Sequence, residues 1–490
     1  MATRRYSDGY RSLRDVDAPR ALAYEVLRQV SADGAFANIA LPKALRRIRR
    51  EKRFDARDAA FASELVHGTL RAQGRLDWLI ERHLTRPLAQ TDPAVVDLLR
   101  LGAHQIVDMR VPDHAAVSTT VDLARRHLTD GPARMVNAVL RALTRLEPGA
   151  VDEMIDGIED RVGRLAVRTS HPQWMVRAFE EALVAHGYGA DELDDLLDAD
   201  NVAPVVTLVA RPGLIDPEDL ADEALEVLGT RVARGFVSDL AVLIESGDPA
   251  LLPSVREGLA GAQDEGSQLA ALVAASAPVD GQDRQWLDLC AGPGGKAALL
   301  AALGAGRGAR LVANEVHPHR ARLIERTVRG LDNVEVVSGD GRSFGGPRSA
   351  WPLGSFDRVI VDAPCSGMGS MRRRPESRWR RTESDLDDLT ALQEALLDRA
   401  VDLVRPGGVL VYVTCSPHAR ETRAQVERLL ASGTVELLDA PAIAGALTPE
   451  PLELPAGAGR VAGGGGGRTL QLWDHRHGTD LMFIAVMRRI

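Results

Sequence analysis

The chain has 490 residues, 45% of them hydrophobic and 26% charged, with a formal net charge of −9. That length exceeds one ordinary core and predicts two or three domains of a soluble globular protein. No uncharged apolar run is long enough to cross a bilayer, and the only cysteines, Cys290, Cys365 and Cys415, form neither a disulfide framework nor a zinc-site spacing.

The charge is unevenly spread. Residues 1–146 hold 25 basic and 17 acidic residues, a net +8, which leaves −17 for the remainder. The front of the chain can meet a polyanion while the rear stays acidic. Lysine occurs three times, so Lys296, set in a glycine turn, stands out in a chain whose other cations are nearly all Arg. The opening M-A-T-R-R-Y-S-D-G-Y lacks the apolar core of a signal peptide, and a cytoplasmic location is expected.

Residues 18–146 read as all-helical. Leu22, Val26, Leu27 and Val30 recur at helical spacing, as do Phe61, Leu65 and Leu70, and Val95, Leu98, Leu99 and Ile106. Between the first two groups, L-R-R-I-R-R-E-K-R (Leu45 to Arg53) is the densest basic run. Such a run is more often a solvated helix face, and its functional alternative is a phosphate-contacting patch. N-A-V-L-R-A-L (137–143) closes the block, giving a first domain over 1–149.

Residues 150–260 predict a small α/β connector, with an acidic helical stretch at Asp191–Asp200, a strand at Val205–Ala210 and a helix starting near H-P-Q-W-M-V (171–176). Q-D-E-G-S-Q (263–268) leads a helix into the third domain, 261–490. There the run Trp286–Leu289 meets the turn C-A-G-P-G-G-K: Cys290, Ala291, Gly292, Pro293, Gly294, Gly295 and Lys296. Strand, glycine turn and helix bring backbone and a helix N-terminus to a small ligand. The turn is neither G-x-G-x-x-G nor a P-loop, which disfavours nicotinamide cofactors and nucleoside triphosphates. Strands follow at Arg310–Asn314, Val334–Val337, Phe356–Val361 and Val409–Val413, with helices at 317–330, 385–404 and 419–431. Leu470–Trp473 and Leu481–Met487 predict closing strands, and the five glycines 463–467 a flexible loop.

The strand ends carry Asp288, Glu315, Asp340, Asp362 and Cys415 in chain order. A single carboxylate there is commonly a helix cap. Four in succession, beyond the C-terminal ends of the strands, suit an adenosine-bearing cofactor with little phosphate charge. S-adenosylmethionine, cationic at sulfur, fits an acidic pocket better than a nucleotide does. D-A-P-C-S-G-M-G (362–369) and V-T-C-S-P (413–417) place two cysteines at the ends of adjacent strands. Methylation of a pyrimidine at C5 calls for such a thiol: adding it to C6 makes C5 nucleophilic, and a base then removes the C5 proton. A depressed thiol pKa needs a cation, for which Lys296 is the candidate.

These motifs resemble the RNA 5-methylcytosine methyltransferases, and the whole chain resembles their RsmB (Sun/Fmu) branch, in which a NusB-like RNA-binding domain precedes the catalytic one. The NusB-like part rests on A-L-A-Y-E-V-L (21–27), F-A-S-E-L-V-H-G-T-L (61–70) and M-V-N-A-V-L-R-A-L (135–143). The resemblance implies an all-α front domain and a Rossmann-like S-adenosylmethionine-dependent methyltransferase domain. It implies Cys415 as nucleophile and Cys365 as the residue that helps release product. Cofactor contacts would come from Cys290–Lys296, Glu315, Asp340 and Asp362, with Asp362 also touching the target base. No metal is implied. Glu421-Thr422, where the family carries Glu-Asn, is given no role, and R-R-R-P-E-S-R-W (372–379) is expected to contact the RNA backbone. The implied partner is RNA, 16S ribosomal RNA by branch, with no DNA or membrane, and the protein is expected to act as a monomer. Transfer RNA is an alternative substrate. A DNA-type enzyme would attack through Cys365 instead. A non-catalytic RNA-binding or antitermination-type factor would need an eroded site, whereas Lys296, Asp362, Cys365 and Cys415 are all present.

Overall fold

A computed structural model describes residues 17–51, 54–109, 111–347 and 349–490. The opening decapeptide, and Lys52 and Arg53 of the basic run, lie outside the described residues. The chain forms two compact units: the described residues up to Val176 together with Arg373–Arg380, and Arg177–Arg372 together with Arg381–Ile490. Residues 150–176 of the stretch read as one connector therefore belong with the first unit and the rest with the second. Among the described residues no helix is long and apolar enough to cross a membrane.

The first unit is helical. Ala18–Asp33, Ala37–Glu51, Ala56–Arg71, Gln73–Glu81, Pro93–Val107, Asp113–His127 and Asp130–Leu143 bury their periodic apolar faces, with Leu22, Val26, Leu65, Leu98, Leu99, Val136 and Leu140 inaccessible or nearly so. Local chemistry starts these helices where the sequence breaks. Asp17 accepts from the Arg20 amide ahead of Pro19, Asp55 and Asp58 form a reciprocal capping box, and Asp92 accepts from the Ala94 amide ahead of Pro93. Each such cap contributes about 1 kcal/mol. On Ala37–Glu51 the buried face is Leu41, Ala44 and Ile48, while Arg46, Arg47, Arg49 and Arg50 are exposed. Lys43, Arg46, Arg47 and Arg50 line a groove of about 500 Å³.

Arg373–Arg380 is built into this unit. The Glu376 carboxylate accepts from the Ala37 amide (2.9 Å) at the start of one helix. The Arg380 guanidinium donates to the carbonyls of Val30 (3.2 Å), Gly34 (3.0 Å) and Ala35 (2.6 Å) at the end of another. Arg374 and Arg380 both lie over the Phe36 ring, and Arg378, fully buried, donates to the carbonyls of Arg71 and Ser170. The expectation that Arg372–Trp379 contacts the RNA backbone is corrected for its buried arginines, Arg372 and Arg378. Their charge is spent on protein carbonyls and carboxylates.

The second unit holds two sheets. In the smaller, β1 (Val206–Ala210), β2 (Val232–Arg234), β3 (Ala241–Ile244) and β4 (Ala260–Ala262) lie antiparallel in the order β2-β3-β1-β4. Leu208, Val242 and Ile244 pack there with Leu220 and Ala224 of helix Pro217–Leu228. The larger sheet comprises β5 (Gln285–Asp288), β6 (Arg310–Asn314), β7 (Val334–Val337), β8 (Phe356–Asp362), β9 (Val404–Thr414), β10 (Val435–Leu437), β11 (Leu470–Gln471) and β12 (Phe483–Arg489). Its order is β10-β12-β9-β8-β5-β6-β7, with β11 beside β12; β7 through β9 are parallel and β12 is antiparallel. Apolar runs such as Val359–Val361 and Val409–Val413 are buried on both faces. One core includes helices Glu265–Ser276 and Gly295–Ala305, the other Asp385–Leu403 and Arg423–Ala431. Strand order reverses between β5 and β8, which opens a crevice at their C-terminal ends.

The glycine run 463–467 lies in a loop, and part of that loop is packed. Gly464 and Gly467 are buried, and a Cβ at Gly467 would fall 2.1 Å from the Leu437 carbonyl oxygen. Gly467 has no room for a side chain because another backbone lies against it, whereas Gly465 and Gly466 face open space.

Candidate active site

The crevice between β5 and β8 gathers the residues at the strand ends. Asp288 ends β5 fully buried; Oδ1 accepts weakly from the Cys290 amide (3.4 Å), and Oδ2 has no hydrogen-bond partner. Burial first, then the neighbouring charge of Asp362, pushes its carboxyl up to about 7. Asp362, ending β8, pairs with Lys296 at 3.0 Å. Burial works against the Lys296 ammonium, but Asp362, Cys415 and Asp288 more than offset it and hold its pKa above the ordinary value. In the same turn Cys290 has its thiol pushed well up by burial and by Asp288, Asp362 and Glu315, so it stays protonated.

Gly292 lies against Glu315, where a Cβ would stand 2.0 Å from Oε2. Glu315 follows β6, is nearly inaccessible, and accepts through Oε1 from the His317 amide (2.9 Å). Arg320 lies 3.6 Å from its Oε2 and donates to the Gly292 carbonyl (2.6 Å). Ala291 is buried and donates its amide to the Asn314 carbonyl (2.8 Å); Pro293 is exposed, and Gly294 takes a left-handed φ of +110° that seats the turn on Ile324. Gly295 begins the following helix beside Gln263. Asp340 stands after the edge strand β7, capping the turn Gly341–Ser343, and the Arg342 guanidinium at 2.6 Å holds its carboxyl below the usual range. Sequence reasoning passed over Asn314. Its side chain donates to the carbonyls of Leu289 and Gly339, both at 3.0 Å, and so ties the ends of β5 and β7 across β6.

The second group sits where β8 and β9 end. The Ala363 amide donates to Val413 O, and Gly369 N to Cys415 O, each at 2.9 Å. These bonds bring Cys365 Sγ to 3.4 Å from Cys415 Sγ. The Cys365 thiol donates to Cys415 and, with help from Lys296, outweighs burial and the charge of Asp362, so Cys415 is held below the ordinary thiol value. Cys365 moves the other way through that same bond, burial and the charge of Glu421. Arg372 is buried between Asp264 (3.1 Å) and Asp480 (2.9 Å). His186 lies under the second loop, 3.2 Å from Pro417 O, and burial keeps its imidazole neutral with a pKa of about 3.

Sequence reasoning left Glu421 without a task. It is fully buried and accepts from Ser366 N (2.8 Å), Ser366 Oγ (2.5 Å), Ser416 Oγ (2.7 Å) and Gln393 Nε2 (3.1 Å). The serine directly after each cysteine was the signal that something binds both loops.

A carboxylate-lined crevice with one orphaned buried oxygen fits the cationic sulfur of S-adenosylmethionine, and the close approach of Gly292 to Glu315 leaves no room for a side chain at that point of the turn. A sheet of this order with such a crevice at its switch point places the protein among the S-adenosylmethionine-dependent methyltransferases. The family described as 16S rRNA methyltransferase RsmB/F matches residues 274–488, and the NusB family matches residues 17–145. A putative methyltransferase of Mycobacterium tuberculosis is 45% identical over 482 residues, covering 97% of this chain and 98% of its own. The probable ribosomal RNA small subunit methyltransferase B of Bacillus subtilis is 31% identical, covering 81% and 84%. The crystal structure of PH0851 aligns over 96% of this chain and 99% of its own with a TM-score of 0.76 at 20% identity, a likeness of fold. The chain belongs to the RsmB/F methyltransferase family, with a NusB domain in front, and is an S-adenosylmethionine-dependent RNA methyltransferase.

Proposed function

We propose that the protein methylates C5 of a cytosine in 16S ribosomal RNA through a covalent adduct with Cys415. The observation that carries this reading is the pair of sulfurs 3.4 Å apart at the ends of adjacent parallel strands, beside the Lys296–Asp362 ion pair. S-adenosylmethionine, when bound, supplies a methyl group on a cationic sulfur. Asp288, Glu315, Asp340, Asp362 and the turn Cys290–Lys296 would hold it.

Cys415 as thiolate adds to C6 of the flipped cytosine, and the C5–C6 π pair moves onto C5. C5 takes the methyl carbon with that pair, and the electrons of the broken methyl–sulfur bond stay on the donor sulfur, leaving a neutral thioether. A base then removes the C5 proton, the pair left behind re-forms the double bond, and Cys415 departs as thiolate. Cys365, within reach of the same sulfur, assists this elimination. Asp362 contacts the base while neutralised by Lys296. The exposed arginines of Ala37–Glu51 hold RNA phosphates.

The names of the relatives that methylate small-subunit rRNA support the choice of RNA. The test is nucleoside mass spectrometry of unmodified 16S rRNA after incubation with protein and S-adenosylmethionine. The reading expects 5-methylcytidine at one site. Methylation of transfer RNA and not of 16S rRNA would overturn the substrate; a product methylated elsewhere on the base would overturn the chemistry.

A further inference from the structure

We propose that Glu421 is a positioning residue that braces both cysteine loops and, by its charge on the Cys365 side of the pair, decides which of the two thiols is the nucleophile. This rests on the reading that Cys415 attacks the base.

The brace follows from the donors. A carboxylate only accepts hydrogen bonds, so each contact must come from a donor. Glu421 Oε1 takes Ser366 N and Gln393 Nε2, and Oε2 takes the hydroxyls of Ser366 and Ser416, themselves 3.1 Å apart. Gln393, on helix Asp385–Leu403, also donates to Pro364 O at 2.9 Å. The residue after each cysteine is thus fixed through one side chain, and Pro364 through the Gln393 that it shares. Its own backbone is pinned by the Tyr412 hydroxyl, which donates to Glu421 O at 2.5 Å.

The charge is one-sided. The Glu421 carboxylate, bonded to the amide next to Cys365, acts on that thiol, whereas at Cys415 the Lys296 ammonium is opposed by its own partner Asp362. The negative group at the Cys365 end of the sulfur pair keeps the proton on Cys365, which donates to the Cys415 thiolate once Cys415 has released its proton to solvent. The other groups facing the pair are paired or neutral. Asp362 is paired with Lys296 and Asp480 with Arg372. The Tyr412 hydroxyl is held protonated and His418 is discharged, both by burial.

The experiment is alkylation of the full-length protein with iodoacetamide from pH 6 to 10, with each cysteine peptide quantified by mass spectrometry. It needs neither RNA nor cofactor. In wild type, Cys415 labels at lower pH than Cys365. In Glu421→Gln the two profiles converge, the Cys365 midpoint falling by about one unit, or about tenfold more labelling at fixed pH. A Ser366→Ala/Ser416→Ala double variant keeps the charge while loosening the brace, so the labelling order persists although methyl transfer falls. Unchanged profiles in folded Glu421→Gln, or convergence in the double serine variant, overturn the proposal. Should Glu421→Gln not fold, the double serine variant decides alone. Cys365 labelling first in wild type would instead overturn the nucleophile assignment beneath it.

Discussion

Asp288 ends β5 with no access to solvent and with one carboxylate oxygen unpartnered. In the unfolded chain its carboxyl ionises near 3.8; in the fold, burial and the neighbouring Asp362 raise it to about 7. An acid whose pKa is raised on folding favours the fold while it is protonated, and its contribution is lost as pH rises through the folded value. A gap of about three units corresponds to about 4 kcal/mol, lost between roughly pH 4 and 7, with about 3 kcal/mol of it between pH 5 and 8. Asp288→Asn keeps the shape and the acceptor for the Cys290 amide but cannot ionise. Urea unfolding without cofactor, followed by circular dichroism at pH 5 and pH 8, measures the difference. The variant should gain on wild type by a few kcal/mol at pH 8 relative to pH 5. Parallel behaviour of the two proteins across that range would refute the assignment of a buried, unpaired carboxyl to this strand end.

Three further outcomes follow from the geometry. Gly292→Ala drives a methyl into the Glu315 carboxylate, which the His317 amide and Arg320 hold in place, so calorimetry should show S-adenosylmethionine binding weakened about tenfold or more; Gly306→Ala, with open space around it, should bind as wild type. Lys296→Met removes the cation that favours the Cys415 thiolate. The pH at which methyl transfer reaches half its maximum should then rise by about one unit, with activity partly recovered at alkaline pH. Arg378→Ala empties a fully buried site in the helical unit and removes the donor to Arg71 O and Ser170 O, so the melting temperature should fall by several degrees, as expected for a loss of about 2–4 kcal/mol.

What the sequence made legible was the periodic part. Apolar runs closed by Asp288, Asp362 and Cys415 marked strands whose ends the parallel sheet brings into one crevice, and the helical faces of 18–146 marked a core without any long-range information. What stayed hidden depends on pairings far apart in the chain. Arg372 is followed by a run that looks solvated, yet its guanidinium meets Asp264 and Asp480, each 108 residues away. Arg380 caps the carbonyls at the end of Ala18–Asp33 from 345 residues away. Charge alone does not say whether a residue is solvated or buried against a partner. The small sheet was reduced to one strand in the sequence because β2 and β4 have three residues each and β3 four, too few for a pattern. Glu421 was passed over because its role lies in the two serines it holds, and no local motif announces that.

In the proposed chemistry Cys415 bonds covalently to the RNA base and Cys365 helps to release it. The most direct measurement is a denaturing gel of protein incubated with unmodified 16S rRNA and labelled S-adenosylmethionine, comparing wild type, Cys415→Ala and Cys365→Ala. Neither transfer nor adduct is expected with Cys415→Ala, and a protein–RNA band that survives denaturation is expected with Cys365→Ala. A persistent adduct in Cys415→Ala that disappears in Cys365→Ala would contradict it and assign the attack to the other sulfur.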